Sequence, residues 1–332
     1  MSLTVISIGP ACTLQDQGRT GFLEQGLSRS GAADILAVHE GAALLGQSPD
    51  LAALEMAGMG GRFEAGQTVS IALTGAPMQA TIDGAPVVWN ASHTLEKGQK
   101  LNIGAATAGT YGYLTVCGGI ATEPFLGSRS THLTAKVGRA LQAGDVLPIG
   151  ASPGRAGRKL RVQDRFSGGT LRIVASFQTG LFDQATLDRF VSTSFLRGAR
   201  ANRMGMQLDS DGEGFAAKGQ LNILSEVITP GDIQMTGTGN PFILLPECQT
   251  TGGYPRIATV LPCDLPQAAQ TPAGASVRFE FVTLEQATAL QSAFLSELSR
   301  LRGKVEDLVR DPHDIPDLLS YQLIGGMVSA TD

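Results

Sequence analysis

Gln249-Thr250-Thr251-Gly252-Gly253-Tyr254-Pro255 is the stretch around which the rest of the chain is organised. An apolar run, Phe242-Ile243-Leu244-Leu245, leads into it, and a second, Ile257 to Leu261, leads out. Short apolar runs bounded by turn residues read as buried strands, so the seven residues connect two strands. A plain hairpin needs a shorter turn. This connection carries an amide, two hydroxyls, adjacent glycines and a phenol. Adjacent glycines let a backbone come close to a partner and offer its N–H groups to a carbonyl, carboxylate or phosphate. Glu247 before the loop and Asp264 after it add carboxylates. A long solvated turn is the plain alternative; the density of polar groups favours a binding or catalytic loop.

The 332 residues are 42% hydrophobic and 17% charged, enough apolar content for a sizeable core. Forty-two glycines, 5% aromatics and many short β-like runs point to a β-rich architecture. A net charge of −5 argues against nucleic acid as a partner. No apolar stretch reaches membrane-spanning length, and no basic segment followed by an apolar core opens the chain, so a cytoplasmic protein without a membrane partner is expected. Cys12, Cys117, Cys248 and Cys263 have no metal-ligand or redox spacing. His39, His93, His132 and His313 are scattered, so neither a metal site nor a histidine cluster is expected.

Along the chain, residues 4–9 read as a first strand. In Asp16-Gln17-Gly18-Arg19, Asp16 and Arg19 form either a surface ion pair or an arginine presented to an anion. Residues 31–46 read as a helix, with Ile35, Val38, Ala42 and Leu45 on one face, Ser30 or Asp34 as cap and Gly46 as stop. From 51 to 116, about six apolar runs broken by glycine indicate a barrel or sandwich, with Asp83-Gly84 as a hairpin turn. Gly127-Ser128-Arg129-Ser130-Thr131 sets an arginine among hydroxyls, a pattern suited to a carboxylate or to a solvated turn. Residues 151–170, rich in glycine and arginine, read as a linker between lobes 1–150 and 171–332.

The second half holds a strand at 171–175, a helix near 183–196, Asn202-Arg203-Met204-Gly205, two strands around Pro230-Gly231 flanked by Glu226 and Gln234, and a strand at 276–282. Thr283-Leu284-Glu285-Gln286 is a capping box that opens a last helix. A tail from 311 is expected to pack back through Leu318, Leu319, Leu323 and Ile324. Neither a nucleotide-binding fingerprint nor a Gly-x-Ser-x-Gly elbow is present.

Six of these pieces, in order, resemble a known family: Thr13 to Arg19, Gly127 to Thr131, Gly138-Arg139-Ala140-Leu141, Asn202 to Gly205, Ser225 to Gln234, and Gln249 to Pro255. The family includes KipA, the C subunit of 5-oxoprolinase and the second half of the urea carboxylase carboxyltransferase domain. The resemblance implies a mainly β chain with a few flanking helices, a cyclophilin-like β-barrel architecture and two β-rich lobes. It implies two partner chains, one KipI-like (the B subunit of the oxoprolinase) and one LamB/YcsF-like (its A subunit). Together they open 5-oxoproline to glutamate with ATP, and this chain carries no cofactor of its own. Two alternatives come with it: a regulatory KipA-type protein that binds a KipI-type kinase inhibitor, and carboxyltransfer to urea or a related amide, which needs biotin. Relatives also carry the label allophanate hydrolase subunit 2, whose Ser-Lys amidase motif is absent here.

For a lactam bearing a carboxylate, Arg129 or Arg203 pairs the carboxylate. Thr250 and Thr251, or the N–H groups of Gly252 and Gly253, polarise the carbonyl, and Glu226 or Asp264 serves as acid or base. Asp16, Arg19, Ser130, Thr131, Asn202, Gln234, Gln249 and Tyr254 complete the expected substrate-binding set. These clusters are expected to converge on one site near the lobe junction, with Asp16, Glu226 or Asp264 against Arg19, Arg129 or Arg203. The helices 31–46 and 283–302 are expected to pack outside.

Overall fold

The computed structural model describes residues 1–151, 154–215 and 224–309. The start of the expected strand at Asn222 and the tail from 311, with His313, lie outside the described residues.

The N-terminal lobe is two sheets packed around one core. The first runs, edge to edge, Val146–Pro148, Ser2–Ile8, Gly61–Ala65, Lys100–Ala106, Met78–Ile82 and Ala85–Pro86. The second runs Thr13–Gln15, Ala53–Ala57, Tyr111–Val116, Val69–Gly75, Ala91–Leu95, Arg158–Lys159 and Glu306–Asp307. Leu3, Val5, Phe63 and Leu101 from one sheet meet Leu54, Met56, Ile71 and Leu114 from the other. Asp83-Gly84 turns the hairpin as expected, both residues in the left-handed region at φ 48° and 86°.

All six residues of Tyr111–Val116 are buried, because helix α1 (Ile35–Leu45) covers the face away from the first sheet. Asp34 caps α1 by accepting the Ala37 N–H at 3.0 Å, and Gly46 ends it in the left-handed region. Gly41 is where helix and sheet touch: a Cβ there would lie 2.3 Å from Thr115 Oγ1. Eight of the eleven α1 residues are buried, so this helix is interior rather than packed outside.

The C-terminal lobe is a closed seven-stranded barrel in the order Gly169–Val174, Arg256–Val260, Asp232–Met235, Pro241–Leu244, Gly205–Asp209, Phe195–Asn202 and Ser276–Phe281. Closure leaves no unpaired edge. Helix α2 (Gln184–Ser192) closes one end by stacking Phe190 on Phe279 at 4.8 Å, with Phe195 and Phe215 beside it. The strand Asp232–Met235 lies between Pro241–Leu244 and Arg256–Val260, so the Gln249–Pro255 connection crosses over a strand. Its length follows from that crossing. Helix α3 (Leu265–Gln270) lies against the N-terminal lobe, and α4 (Leu284–Arg300) opens on the expected Thr283–Gln286 capping box. Helix α4 buries only Ala287 and stays largely exposed, as the expected outside packing requires.

The stretch 151–170 does more than connect. Arg158–Lys159 adds a strand to the second sheet, and Arg165 is buried beneath α1. Its Nε donates to Asp34 Oδ2 at 2.8 Å, and its Nη1 and Nη2 donate to Glu40 at 3.0 and 2.7 Å. The side-chain amide of Gln270 donates to the same Asp34 oxygen and to Tyr111 O, and its oxygen accepts the Thr110 and Tyr111 N–H groups. One carboxylate therefore ties together helix cap, linker and barrel.

Removing one partner of a buried ion pair leaves an uncompensated charge, so Arg165→Ala costs about 3–5 kcal/mol in urea unfolding. Arg158→Ala, which breaks a surface pair with Asp307, costs less than about 1 kcal/mol. Equal small losses would mean that Arg165 belongs to a mere tether.

Candidate functional site at the lobe junction

The turn Asn202-Arg203-Met204-Gly205 joins two barrel strands and drives Arg203 into the seam between the lobes. Its Nε donates to Glu247 Oε1 at 2.5 Å, its Nη1 to Glu55, and its Nη2 to Gly31 O at 2.6 Å and Ser30 Oγ at 3.2 Å. Burial works against the guanidinium charge, but Glu55 and Glu247 more than reverse this and hold its pKa above the ordinary value. Glu55 in turn accepts the Tyr113 hydroxyl at 2.6 Å and the Ala33 N–H at 2.8 Å. Every guanidinium nitrogen of Arg203 has a protein acceptor. Arg203 is a strut between lobes whose charge is already met by two carboxylates, rather than the free partner expected for a substrate carboxylate.

On one side of Glu247 lies a cavity of about 370 Å³, lined by Gly26, Ser28, His132, Gln249, Thr250 and Thr251 among others. Ser28 Oγ and His132 Nε2 are 2.8 Å apart, and the Ala135 N–H donates to His132 Nδ1 at 3.2 Å. That backbone donor requires an unprotonated Nδ1, so the ring proton sits on Nε2 and is given to Ser28. Burial lowers the His132 pKa against the pull of Glu247, and Arg19 and Arg203 lower it further, which keeps the ring neutral. Glu247 Oε2 is 3.6 Å from Nδ1, beyond hydrogen-bond reach.

Serine, histidine and carboxylate are thus adjacent, but the proton runs the wrong way for a nucleophilic serine. His132 makes Ser28 an acceptor, and the Ser28 hydroxyl proton finds no protein acceptor among the described residues. It is a donor available to a ligand oxygen. Neither residue stands out in the sequence. The signals that could have found them are the hydroxyl–arginine–hydroxyl run Ser28-Arg29-Ser30 and the position of His132 directly after Ser130-Thr131.

Asp16, Arg19, Arg129, Ser130 and Thr131 do come together, at a neighbouring cavity of about 320 Å³ that backs onto the first through Thr131 and His132. Asp16 accepts from Ser128 Oγ at 2.6 Å, Ser130 Oγ at 2.5 Å, the Arg129 N–H at 2.6 Å and the Gly18 N–H at 2.8 Å. Burial alone would raise this carboxyl; the four donors more than offset it and hold it below the usual carboxylate range. Asp16 therefore organises the Ser128–Ser130 loop and does not pair a guanidinium. Arg19 donates to Ser130 O, and its buried Nη1 lacks a partner. Arg129 donates through Nε to Thr122 O at 2.6 Å.

The ribbon Glu226–Val227 pairs with Thr251–Gly252, which sets Glu226 beside the loop. Glu226 is held by Arg256 and Gln178, both at 2.7 Å, and stays half exposed. Gln234 packs against Gly252, where a Cβ would lie 2.5 Å from its amide nitrogen. Tyr254 is exposed. Asp264 stands apart: buried at the barrel's other seam, it is gripped by Nε and Nη2 of Arg172 and by the Arg172 N–H. Of the contacts expected between Asp16, Glu226 or Asp264 and Arg19, Arg129 or Arg203, Asp16 meets the Arg129 backbone N–H, but no guanidinium of the three pairs with these carboxylates. The arginines that needed carboxylates found Glu55, Glu247, Asp34 and Glu40. Among the described residues no group of three or more histidine, cysteine or acidic side chains is arranged to hold a metal ion, and no helix is long and apolar enough to cross a membrane.

The fold and this seam define a carboxyltransferase-type domain, and residues 25–281 match the family model described as carboxyltransferase domain, subdomain A and B. The chain belongs to that family. It is 34% identical to the 5-oxoprolinase C subunit of Escherichia coli over 86% of this chain and 93% of that one. It is 31% identical to the 5-oxoprolinase C subunit of Haemophilus influenzae over 92% of this chain and 99% of that one. The crystal structure of TTHA0988 superposes with a TM-score of 0.76 at 30% identity over 84% of this chain, which spans 55%, about half, of that longer polypeptide. Kluyveromyces lactis urea carboxylase shares the fold, with a TM-score of 0.81 at 22% identity over 94% of this chain and 31% of that one.

Asp16→Asn removes a folded-state carboxylate whose pKa is depressed. The stability it contributes is present above the ordinary aspartate pKa and is lost as pH falls through the lowered folded value. The variant is expected to be about 2 kcal/mol less stable at neutral pH. Chemical unfolding across acid pH is expected to show the gap to the parent closing below the ordinary aspartate range. A gap that stays constant to strongly acid pH would refute the role given to Asp16.

Proposed function

We propose that the chain is the C subunit of an ATP-dependent 5-oxoprolinase and forms, with a KipI-like chain, the site that opens 5-oxoproline to glutamate. A LamB/YcsF-like chain completes the complex in the cytoplasm. The observation that carries this reading is the near end-to-end match to two 5-oxoprolinase C subunits, at 93% and 99% of their lengths. The urea carboxylase chain, by contrast, is covered only to 31%, and carboxyltransfer would need a biotin carrier from elsewhere.

In the reaction, a water oxygen adds to the lactam carbonyl carbon, the ring C–N bond breaks and the nitrogen leaves with a proton as an amine. ATP, handled by the complex, activates the amide by phosphorylating the lactam oxygen as ADP leaves, and a second water frees that phosphoryl group as phosphate to leave the carboxylate. This chain contributes hydrogen-bond donors and one acid or base. The Ser28 hydroxyl, oriented by His132, and the Thr250 and Thr251 hydroxyls are donors for the carbonyl oxygen as it gains charge, where one such donor is worth about 10²–10³ in rate. Glu226, half exposed beside the loop, is the acid or base on this chain.

The test is reconstitution with the two partner chains, ATP and 5-oxoproline, following glutamate and phosphate release. Ser28→Ala is expected to lower kcat by about 10²-fold while Arg158→Ala leaves it unchanged. If all three chains assemble and no lactam opens, the regulatory KipA-type reading replaces this one. Loss of activity on adding avidin would favour carboxyltransfer.

A further inference from the structure

On the side of Glu247 away from Ser28 lies another cavity between the lobes, of about 360 Å³. Arg197 reaches it from the barrel strand Phe195–Asn202, next to a register shift between Arg197 and Ala201 of the kind that re-aims side chains. Arg197 differs from the other arginines of the seam. Among the described residues its guanidinium has no ion pair and no hydrogen-bond acceptor, and its Nε is buried without a partner. Burial lowers its pKa, and the ionisable group it senses is the Tyr111 phenol.

The groups facing it are donors. The Tyr111 phenol, pushed up by burial, stays protonated. Asn202 Oδ1 accepts the Met204 N–H of its own turn at 2.8 Å, which leaves its NH₂ as the outward group. Glu247 lines the cavity too, but its oxygens are engaged by Arg203 and by the Thr134 N–H. A half-buried cation with no paired counter-charge, among donors and near a carboxylate already committed to Arg203, is an incomplete electrostatic arrangement.

We infer that this cavity binds a small carboxylate, with Arg197 supplying the charge and Asn202 and Tyr111 supplying further donors. The inference concerns binding and stands apart from the lactam reaction proposed above.

The experiment is thermal unfolding of the full chain with 5-oxoprolinate, glutamate or acetate, against neutral 2-pyrrolidone, in the parent and in Arg197→Met. At least one carboxylate is expected to raise Tm in the parent, with 2-pyrrolidone ineffective. Arg197→Met is expected to need about tenfold or more carboxylate for the same shift, and without ligand to melt no lower than the parent, because it deletes an unpaired charge. Arg158→Met is the control and keeps the parent response. The inference is overturned if no carboxylate raises Tm, if 2-pyrrolidone does so equally, or if Arg197→Met keeps the full shift. It is also overturned if unliganded Arg197→Met melts well below the parent, since the arginine would then be structural. A carboxylate response that depends on Arg197 in a complex that opens no lactam would retire the proposed reaction and leave this site standing.

Discussion

A buried guanidinium must be fully paired, and Arg203 is the guanidinium on which the two lobes depend. It extends from a barrel hairpin into a seam where it is only 5% exposed, so most of its charge has to be met by protein. Glu55 from the N-terminal sheet and Glu247 from the strand exit before the loop meet it from the two lobes. Ser30 and Gly31 take its Nη2 donors. An ion pair of this kind gains little net stability over an apolar contact, because desolvation offsets most of the attraction. Its effect is on geometry: the fixed hydrogen-bonding directions of a planar fork admit one relative placement of the lobes. That placement sets Ser28 and His132, carried by the N-terminal lobe, opposite Thr250 and Thr251, carried by the barrel.

The second constraint reinforces the first from behind. Asp34 caps α1, receives Arg165 from the inter-lobe segment and receives Gln270 from α3. Burial pushes the neighbouring Glu40 carboxyl up, while Arg165 opposes it. Neither cluster works alone: Arg203 holds the loop side of the seam, Arg165 and Gln270 hold the helix side, and Tyr111 and Tyr113 pass between them. The cavities are the spaces that two rigid β bodies leave when pinned at two places.

Much of the fold is legible in the sequence because its signals are local. The Asp83-Gly84 hairpin, the Asp34 and Gly46 ends of α1, the Thr283–Gln286 capping box and the order of apolar runs each depend on neighbours in sequence, and each appears where the local chemistry requires. The burial of α1 is not legible, because Arg165 and the turn Leu301–Lys304 that pack on it lie more than a hundred residues away. The site is legible only as a set of polar clusters. Which carboxylate meets which arginine is a long-range matter: Glu55 lies inside an apolar strand and gives no sign, whereas Asp264 looks catalytic and is occupied by Arg172. Four histidines scattered in sequence suggest no histidine chemistry, yet one of them reaches Ser28 across 104 positions.

Saturation separates the arginines by role where sequence context cannot. Arg203 and Arg197 lie on the same hairpin, six positions apart, and Arg203 has the more conspicuous setting beside an amide and a glycine. The structure reverses their apparent importance for a ligand. A guanidinium that already meets two carboxylates, as Arg165, Arg203 and Arg256 do, can bind nothing without breaking a pair whose loss costs several kcal/mol. One without a counter-charge has borne the desolvation cost and not yet received the compensating interaction, so an incoming anion gains the full attraction. By that criterion the anion-seeking group at the seam is Arg197. Arg19, buried without an ion pair and with an unpartnered Nη1, is the next. The arginines that hold the lobes together are thereby excluded from the chemistry they make room for.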